Sequence, residues 1–349
     1  MRNRWRGLRR AWRAMPLVVV LFAVTARAQD LEPLTLYAAT LRIIYPGVEV
    51  RLANTERWIE LPGGAQTALG EGDTVRTDLN GRALLAFDTG GRALILPATV
   101  YLIGFYSAET INVQIMGRSI AQIPAAAARY SVNGFTEVRT NGTADATFAI
   151  ATRPAAALPL LDPLNARPPV VYAIAATDGV EIAHPNGALP LPAGYGVALD
   201  ALMTTLTPIP LSAPYRFSDL EVATSRRVCA ATATPTTAPR LLARIGASES
   251  FQSLGAFDFG APLQIVGRTE NGRRYRSAYF SAFAWVVADG VTFAGACDVD
   301  TLSVYPSTTA EQPLGAVAVT AEELELLQPF YGTPDDDPWF YRATNDLTP

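Results

Sequence analysis

Gly81-Arg82-Ala83-Leu84-Leu85-Ala86-Phe87-Asp88-Thr89-Gly90-Gly91-Arg92-Ala93-Leu94 is the stretch that decides the fold class. Gly81-Arg82-Ala83-Leu84 returns ten residues later as Gly91-Arg92-Ala93-Leu94, with Asp88-Thr89-Gly90-Gly91 as the turn between the copies. The two copies read as the arms of one hairpin, because glycine supplies the positive φ that tight turns demand. Their arginines, Arg82 and Arg92, are expected on a solvated edge. The same punctuation recurs at Pro46-Gly47, Gly63-Gly64, Asn80-Gly81, Asn133-Gly134, Asn141-Gly142, Asp178-Gly179 and Asn186-Gly187. Between these turns lie short runs such as Ala93 to Leu96 and Val170 to Ala175, rich in β-branched, aromatic and Leu residues. With 26 Gly and 26 Pro as well, the composition predicts an all-β protein of many short strands rather than long helices.

Two breaks organise the chain. Residues 154–169 carry Ala155-Ala156-Ala157 and Pro168-Pro169. Proline lacks the amide donor of a central strand, so this stretch reads as an excursion between strands of one domain. Ala201 to Arg227, with Pro208, Pro210 and Pro214, reads as the interdomain connection. The expected division is a leader at 1–28, a multi-hairpin β domain at 34–200, a connecting segment at 201–228, a small β-barrel at 229–298 and an extension at 299–349. That extension holds one short helix, announced by Thr320-Ala321-Glu322-Glu323 as a capping box. Beyond it, Pro- and Asp-rich text is expected to order only where Trp339, Phe340 and Tyr341 find something to pack on.

The leader has the layout of a secretory signal peptide. Arg2, Arg4, Arg6, Arg9, Arg10 and Arg13 precede an apolar run from Met15 to Ala26, and Ala26-Arg27-Ala28 offers small residues to a peptidase. At about 1.5 Å per residue this run reaches about 18 Å, short of the ~30 Å hydrocarbon core. An uncleaved anchor is the alternative, and membrane contact is expected only in that case. All 28 basic residues are Arg, and seven of them lie in the first 28 residues. The remaining 21 face 32 acids, so the chain beyond the leader has a formal charge of −11. That acidity speaks against nucleic acid as a partner. Two cysteines, Cys229 and Cys297, lie beyond the leader. In an exported chain an isolated pair reads as a disulfide, with two buried free thiols as the alternative.

Two resemblances follow from longer matches. Gly47-Val48-Glu49-Val50, Trp58, Leu61 and Leu69-Gly70-Glu71-Gly72-Asp73-Thr74-Val75-Arg76-Thr77 resemble the opening of the FecR-type domain. The match continues through Gly81-Arg82-Ala83, Leu85, Phe87, Gly90-Gly91 and Leu94 to Thr99, and covers about 150 residues in all. Its later half returns in Thr110 to Val113, Phe135 to Thr140, Asp178-Gly179-Val180-Glu181-Ile182 and Leu191-Pro192-Ala193-Gly194. Asp145-Ala146-Thr147-Phe148 departs from the family's Gly-Thr-x-Phe step. Founding members couple such a domain through a membrane span to a cytoplasmic regulator of a sigma factor. This chain is expected to have no room for either part, so that role is not carried over.

The stretch from Cys229 to Cys297 resembles a bacterial SH3-type domain in Arg244, Gly246-Ala247-Ser248, Leu254-Gly255, Phe259-Gly260, Leu263 to Gly267, Asn271-Gly272 and Trp285-Val286. The resemblance implies a small barrel with a ligand groove that Arg244, Tyr275, Tyr279 and Trp285 could flank. Alternate strand positions would hide some of these, and Trp285 reads as a core residue of the barrel before a binding platform. Leu242 to Ser248 keeps the Arg and first Gly of the family's loop and loses its Pro-Gly, which weakens the expectation of peptide or glycan binding.

Catalytic chemistry is sparse. The single histidine, His184, sits in a turn before Pro185 and reads as a solvated turn residue, so a two-His zinc site is impossible and a catalytic triad is not expected. Asp335-Asp336-Asp337 and Asp298-Val299-Asp300 have oxygens that suit calcium, but they lack a Gly-spaced loop and read as solvated faces. Asn141-Gly142-Thr143 is a formal glycosylation sequon. No catalytic residue, metal or cofactor is expected. The expectation is an exported, non-enzymatic protein, extracellular or at the cell surface, and periplasmic if the host has an outer membrane. It would bind or scaffold wall polymer, a glycan or an envelope protein. A sensor acting with a membrane partner, and a carboxylate-based glycan hydrolase, are the alternatives.

Overall fold

A computed structural model describes residues 37–133, 137–153, 170–184, 187–200, 206–225, 227–235, 239–311 and 319–337. The leader, the Pro-rich stretch at 154–169 and Trp339 to Tyr341 lie outside the described residues. In chain order the first strands are β1 (Ala39–Tyr45), β2 (Val48–Arg51), β3 (Ile59–Leu61), β4 (Gln66–Leu69), β5 (Thr74–Thr77) and β6 (Arg82–Phe87). Next come β7 (Arg92–Ile95), β8 (Val100–Tyr106), β9 (Thr110–Met116), β10 (Arg118–Ile123), β11 (Arg129–Asn133) and β12 (Glu137–Thr140). The series ends with β13 (Ala146–Arg153), β14 (Val170–Ala175), β15 (Val180–His184), β16 (Gly187–Leu191), β17 (Tyr195–Asp200) and β18 (Ile209–Pro210).

These strands form two nine-stranded sheets. Sheet A runs β18-β17-β14-β13-β10-β7-β6-β1-β4, and sheet B runs β16-β15-β12-β11-β9-β8-β5-β2-β3. The Gly81–Leu94 stretch folds as the expected antiparallel hairpin of β6 and β7. Most of the other turns do a different job. Pro46-Gly47, Gly63-Gly64, Asn80-Gly81, Asn141-Gly142 and Asp178-Gly179 each carry the chain from one sheet to the other, so they are arches rather than hairpins. Asp78 ties two arches together: its amide donates to the Gly47 carbonyl and its Oδ1 accepts from the Asn80 and Gly81 amides. A Cβ at Gly81 would lie 2.2 Å from the Gly47 oxygen, which is why glycine stands there.

Alternating side chains from both sheets fill the space between them. Leu41, Leu85, Ile95, Ile123 and Phe148 come from sheet A, and Val75, Tyr101, Ile103, Val113 and Tyr130 from sheet B. The hydroxyls of Tyr101 and Tyr130, buried in this core, satisfy one another at 2.9 Å.

The rest of the chain begins with helix α1 (Phe217–Thr224), inside what the prolines marked as connection. Its N-cap, Arg216, makes no side-chain cap, and the helix is held by packing, with Leu220 buried. Then follow β19 (Cys229–Ala233), β20 (Leu241–Arg244), β21 (Ser253–Phe257), β22 (Pro262–Thr269), β23 (Arg274–Tyr279), β24 (Ala282–Val287), β25 (Val291–Phe293) and β26 (Ser303–Tyr305). They make sheet C, ordered β21-β20-β24-β23-β22-β19-β25, with β26 beside β22. All-β describes the chain, but this ladder ends at β21 and β25 and is not a closed barrel. Cys229 and Cys297 form the expected disulfide, with Cα atoms 5.7 Å apart.

Helix α2 (Ala321–Tyr331) closes the fold. The capping box forms as read: the Glu323 amide donates to Thr320 Oγ1, and the Thr320 amide to Glu323 Oε2. Leu326, Leu327, Phe330 and Tyr331 share a second apolar core with Leu84, Leu94, Ile120 and Ile174 from the far face of sheet A, and with Ala243, Tyr279 and Ala284 from sheet C. Three acids of α2 meet three arginines of sheet A: Glu322 pairs with Arg42, Glu323 with Arg82 and Glu325 with Arg92. The expected solvated edge is therefore overturned for Arg82, whose side chain is 4% exposed against 0% for Glu323. The helix lands on this hairpin and seals it.

Removing one partner of a buried ion pair leaves an uncompensated charge, so Arg82→Ala is expected to cost about 3–5 kcal/mol in denaturant unfolding. A loss below about 1 kcal/mol would mean that the pair is solvated in solution. Glu325 is held below its ordinary value of 4.5, first by its hydrogen bond to Arg92. A depressed carboxylate stabilises the fold above the unfolded value and loses that effect as pH falls through the folded one. Acid titration below about pH 4.5 is thus expected to loosen α2 before the sheets; helical circular dichroism and strand-amide exchange measured together would show the order.

Candidate functional site

Strand parity divides the four residues named for a groove. Tyr275 and Tyr279 face the interior of sheet C, where Tyr275 meets Phe293 edge-on at 5.2 Å and Tyr279 meets Phe257 at 4.9 Å. Arg244 and Trp285 are direct cross-strand partners, and Trp285 is in turn the partner of Arg276. Arg276 pairs onward with Gly267. Arg244, Trp285, Arg276 and Gly267 thus form a row across four strands on the opposite face of the sheet. The four sequence-named residues do not line one groove.

Trp285 is fully buried, yet it belongs to none of the apolar cores. Residues 303–311 bury it. This strap starts as β26, parallel to β22, and sets the Tyr305 ring edge-on to Trp285 at 5.5 Å. The ring also covers Gly267, where a Cβ would lie 2.6 Å from it. Further along, the Ala247 amide donates to the Thr309 carbonyl at 2.8 Å and the Glu311 amide to the Ile245 carbonyl at 2.7 Å. Glu311 then grips Arg276 from both oxygens, at 2.6 and 2.9 Å. Glu221 of α1 takes the remaining side of the guanidinium at 2.8 Å, and the Phe283 ring lies 3.7 Å beneath it. Burial alone would lower the Arg276 pKa, but the charges of Glu311 and Glu221 outweigh it and hold the group protonated well above its usual value.

The outer face of sheet B is the other notable surface. Because Tyr101 and Ile103 of β8 point inward, Val100 and Leu102 point out, joined by Phe105 and, from β9, Met116. Phe105 is 49% exposed and Met116 66%. Beside them stands Trp58, with the Arg76 guanidinium 4.2 Å and the Arg51 guanidinium 5.2 Å from its ring centre. Arg76 also pairs with Glu49, the hydrogen bond that chiefly lowers the carboxylate's pKa.

This arrangement is half of a repeat that turn counting missed. Gly47-Val48-Glu49-Val50 and Val75-Arg76-Thr77 reappear as Gly179-Val180-Glu181-Ile182 and Val138-Arg139-Thr140. Arg139 donates to Glu181 across β12 and β15 as Arg76 does to Glu49 across β5 and β2. The Asn141 amide bonds the Gly179 carbonyl as the Asp78 amide bonds that of Gly47. The two pieces stand in opposite order along the chain, 48–50 before 75–77 in the first copy and 138–140 before 180–182 in the second, and it is the strand pairing that brings them into register. Trp58 is stacked on the Arg of the first copy, while Pro190 stands opposite Glu181 in the second.

The remaining motifs are used locally. Asp336 accepts from the Thr333 amide and hydroxyl, both at 2.8 Å, and these bonds hold its pKa below 3.8. Asp337 is buried and accepts from the Ser281 amide at 3.0 Å. Asp298 caps the turn at Asp300. His184 ends β15, opposite Gly187. Asn141 Oδ1 accepts from the Thr143 amide and hydroxyl, both at 2.9 Å, so the sequon forms a closed turn. A cleft at this end of the sandwich is lined by Thr89, Glu109, Ala125 to Arg129 and Gly142.

No family model matches the chain, and no curated protein matches it. Two solved crystal structures are similar to part of it, each of a protein described as a "putative anti-sigma factor" from Parabacteroides distasonis. One is 11% identical and the other 10%, both with a TM-score of 0.31, over 46% of this chain and 68% of theirs.

Because Trp285 is enclosed rather than displayed, Trp285→Ala is expected to cost about 3–5 kcal/mol of stability. An unchanged denaturation midpoint would return it to the surface. Opening the Cys229–Cys297 link spans a sequence separation of 68 residues, and its loss is expected to cost about 4 kcal/mol in the chain-entropy treatment. Paired melts with and without reductant measure it.

Proposed function

We propose that this chain is an exported, non-enzymatic scaffold of the cell envelope that works by surface contact, and that the outer face of sheet B meets an envelope protein. The observation that carries the reading is the run of Val100, Leu102, Phe105 and Met116 on an open sheet face, next to Trp58 between two arginines. Aromatic residues, Met and Arg are the residue types enriched where proteins meet, which favours a protein over wall polymer or a glycan. The disulfide supports an oxidising compartment, outside the cytoplasm. A sensor coupled to a membrane partner would use the same surface, so the two readings differ in the partner and not in the face. Hydrolysis of a glycan by paired carboxylates has less support: among the described residues that line the cleft at the end of the sandwich, Glu109 is the one acid, where that chemistry needs two.

Cross-linking in intact cells, followed by recovery of the chain from envelope fractions, tests the contact. Phe105→Glu with Met116→Glu is expected to reduce the recovered partner at least tenfold while leaving the melting temperature unchanged. Equal recovery would move the contact off this face. Sequencing the N-terminus of the recovered chain would check export, with Gln29 expected first.

A further inference from the structure

The row Arg244–Trp285–Arg276–Gly267 is covered, but not by a layer of the sandwich. The interior of sheet C takes Ala243, Tyr279, Ala282, Ala284 and Val286 from the other face. The covering strap brings a short strand in register, a ring over Gly267 and Trp285, backbone hydrogen bonds to Ile245 and Ala247, and a carboxylate on Arg276. Main-chain pairing together with side-chain pockets at fixed spacing is how a sheet recognises an extended peptide.

We propose that this row is a peptide-recognition face that the chain occupies with its own strap. The partner is then an extended protein segment of the same chemistry, an aromatic residue followed six positions later by a carboxylate, as Tyr305 is by Glu311. The geometry allows exchange. β26 contributes only three residues to the ladder, and it runs parallel to β22 while β19 and β23 pair with β22 antiparallel. When Glu311 leaves, Arg276 keeps Glu221 and the Phe283 ring, so opening the strap does not strand a bare buried cation. Gly267 leaves room for a ring that any larger residue would push away. The proposal is independent of the contact assigned to sheet B.

The probe is a fluorescent nine-residue peptide copied from Ser303 to Glu311, added to the full chain and followed by anisotropy. A full chain carrying Tyr305→Ala and Glu311→Gln, with its own strap weakened, is expected to bind this peptide at least tenfold more tightly than the unaltered chain. The same two changes placed in the peptide are expected to abolish at least tenfold of that binding. A folded double variant that binds no more tightly than the unaltered chain overturns the proposal. Hydrogen exchange on the unaltered chain decides the matter if the double variant does not fold. The Glu270 amide donates to the Tyr305 carbonyl at 3.0 Å, so Ala247, Glu270 and Glu311 amides exchanging together, faster than those of β23, would support a detachable strap. Exchange of all of them with β23 at one rate would make the strap an integral strand and overturn the idea.

Discussion

Among the described residues sheet A is covered on both sides over most of its strands, with positions such as Thr40 and Ala86 left exposed, and the rest of the structure depends on that constraint. Sheet B lies against one side, while α2, α1 and sheet C share the other. A sheet covered twice can place apolar residues at successive positions, as Ala83, Leu84 and Leu85 do in β6. It then requires a second cover, and arginines pointing into that cover require partners. Glu323 meets both needs, since one carboxylate caps its own helix and neutralises Arg82. The C-terminal part is thus an outer layer of the same β stack.

Sheet B carries the complementary lesson. Its strands alternate between core and solvent, and its outward positions repeat an Arg–Glu pair in two places. Cross-strand pairs of that kind hold register and add little net stability when solvated. What differs between the copies is the ring of Trp58 and the apolar residues near it. The two places share a frame, and the departure from it marks the surface proposed for contact. In sheet C the partition is reversed. The aromatic residue that invited a binding reading is enclosed, and it is enclosed by the chain itself.

Much of this was legible in the residues. The hairpin at Gly81–Leu94 and the capping box at Thr320 rest on local chemistry that tertiary contacts did not override, and the Cys229–Cys297 bridge was legible because the chain holds two cysteines and no others. The difference between the sheets was also written there: Ala-Leu-Leu-Ala-Phe at 83–87 is an unbroken apolar run, whereas Val-Glu-Val-Arg at 48–51 alternates. Turn dipeptides, in contrast, could not reveal whether they close a hairpin or arch between sheets, because both need the same positive φ. The same limit hid the role of Arg82, whose partner stands 241 residues away. Helix α1 was missed because proline-rich text surrounds it and its stability comes from Leu220 and Glu221 rather than from a cap. The groove expectation failed on parity: Tyr275 and Trp285 cannot share a face, whatever the family resemblance suggests.

The distance between Arg82 and Glu323 along the chain has an implication for biosynthesis. A polypeptide that emerges amino end first must build most of sheet A before the helix that roofs it exists. Through that interval Leu84, Leu94 and Ile120 lack the cover of α2 and Arg82 lacks its counter-ion. Such an intermediate is sticky, and its final step is a docking event between the last segment synthesised and one of the first. Truncation near residue 320 would accordingly leave a nearly complete sandwich with an oily, cationic wall, a substrate for quality-control proteases rather than a smaller working version of the molecule.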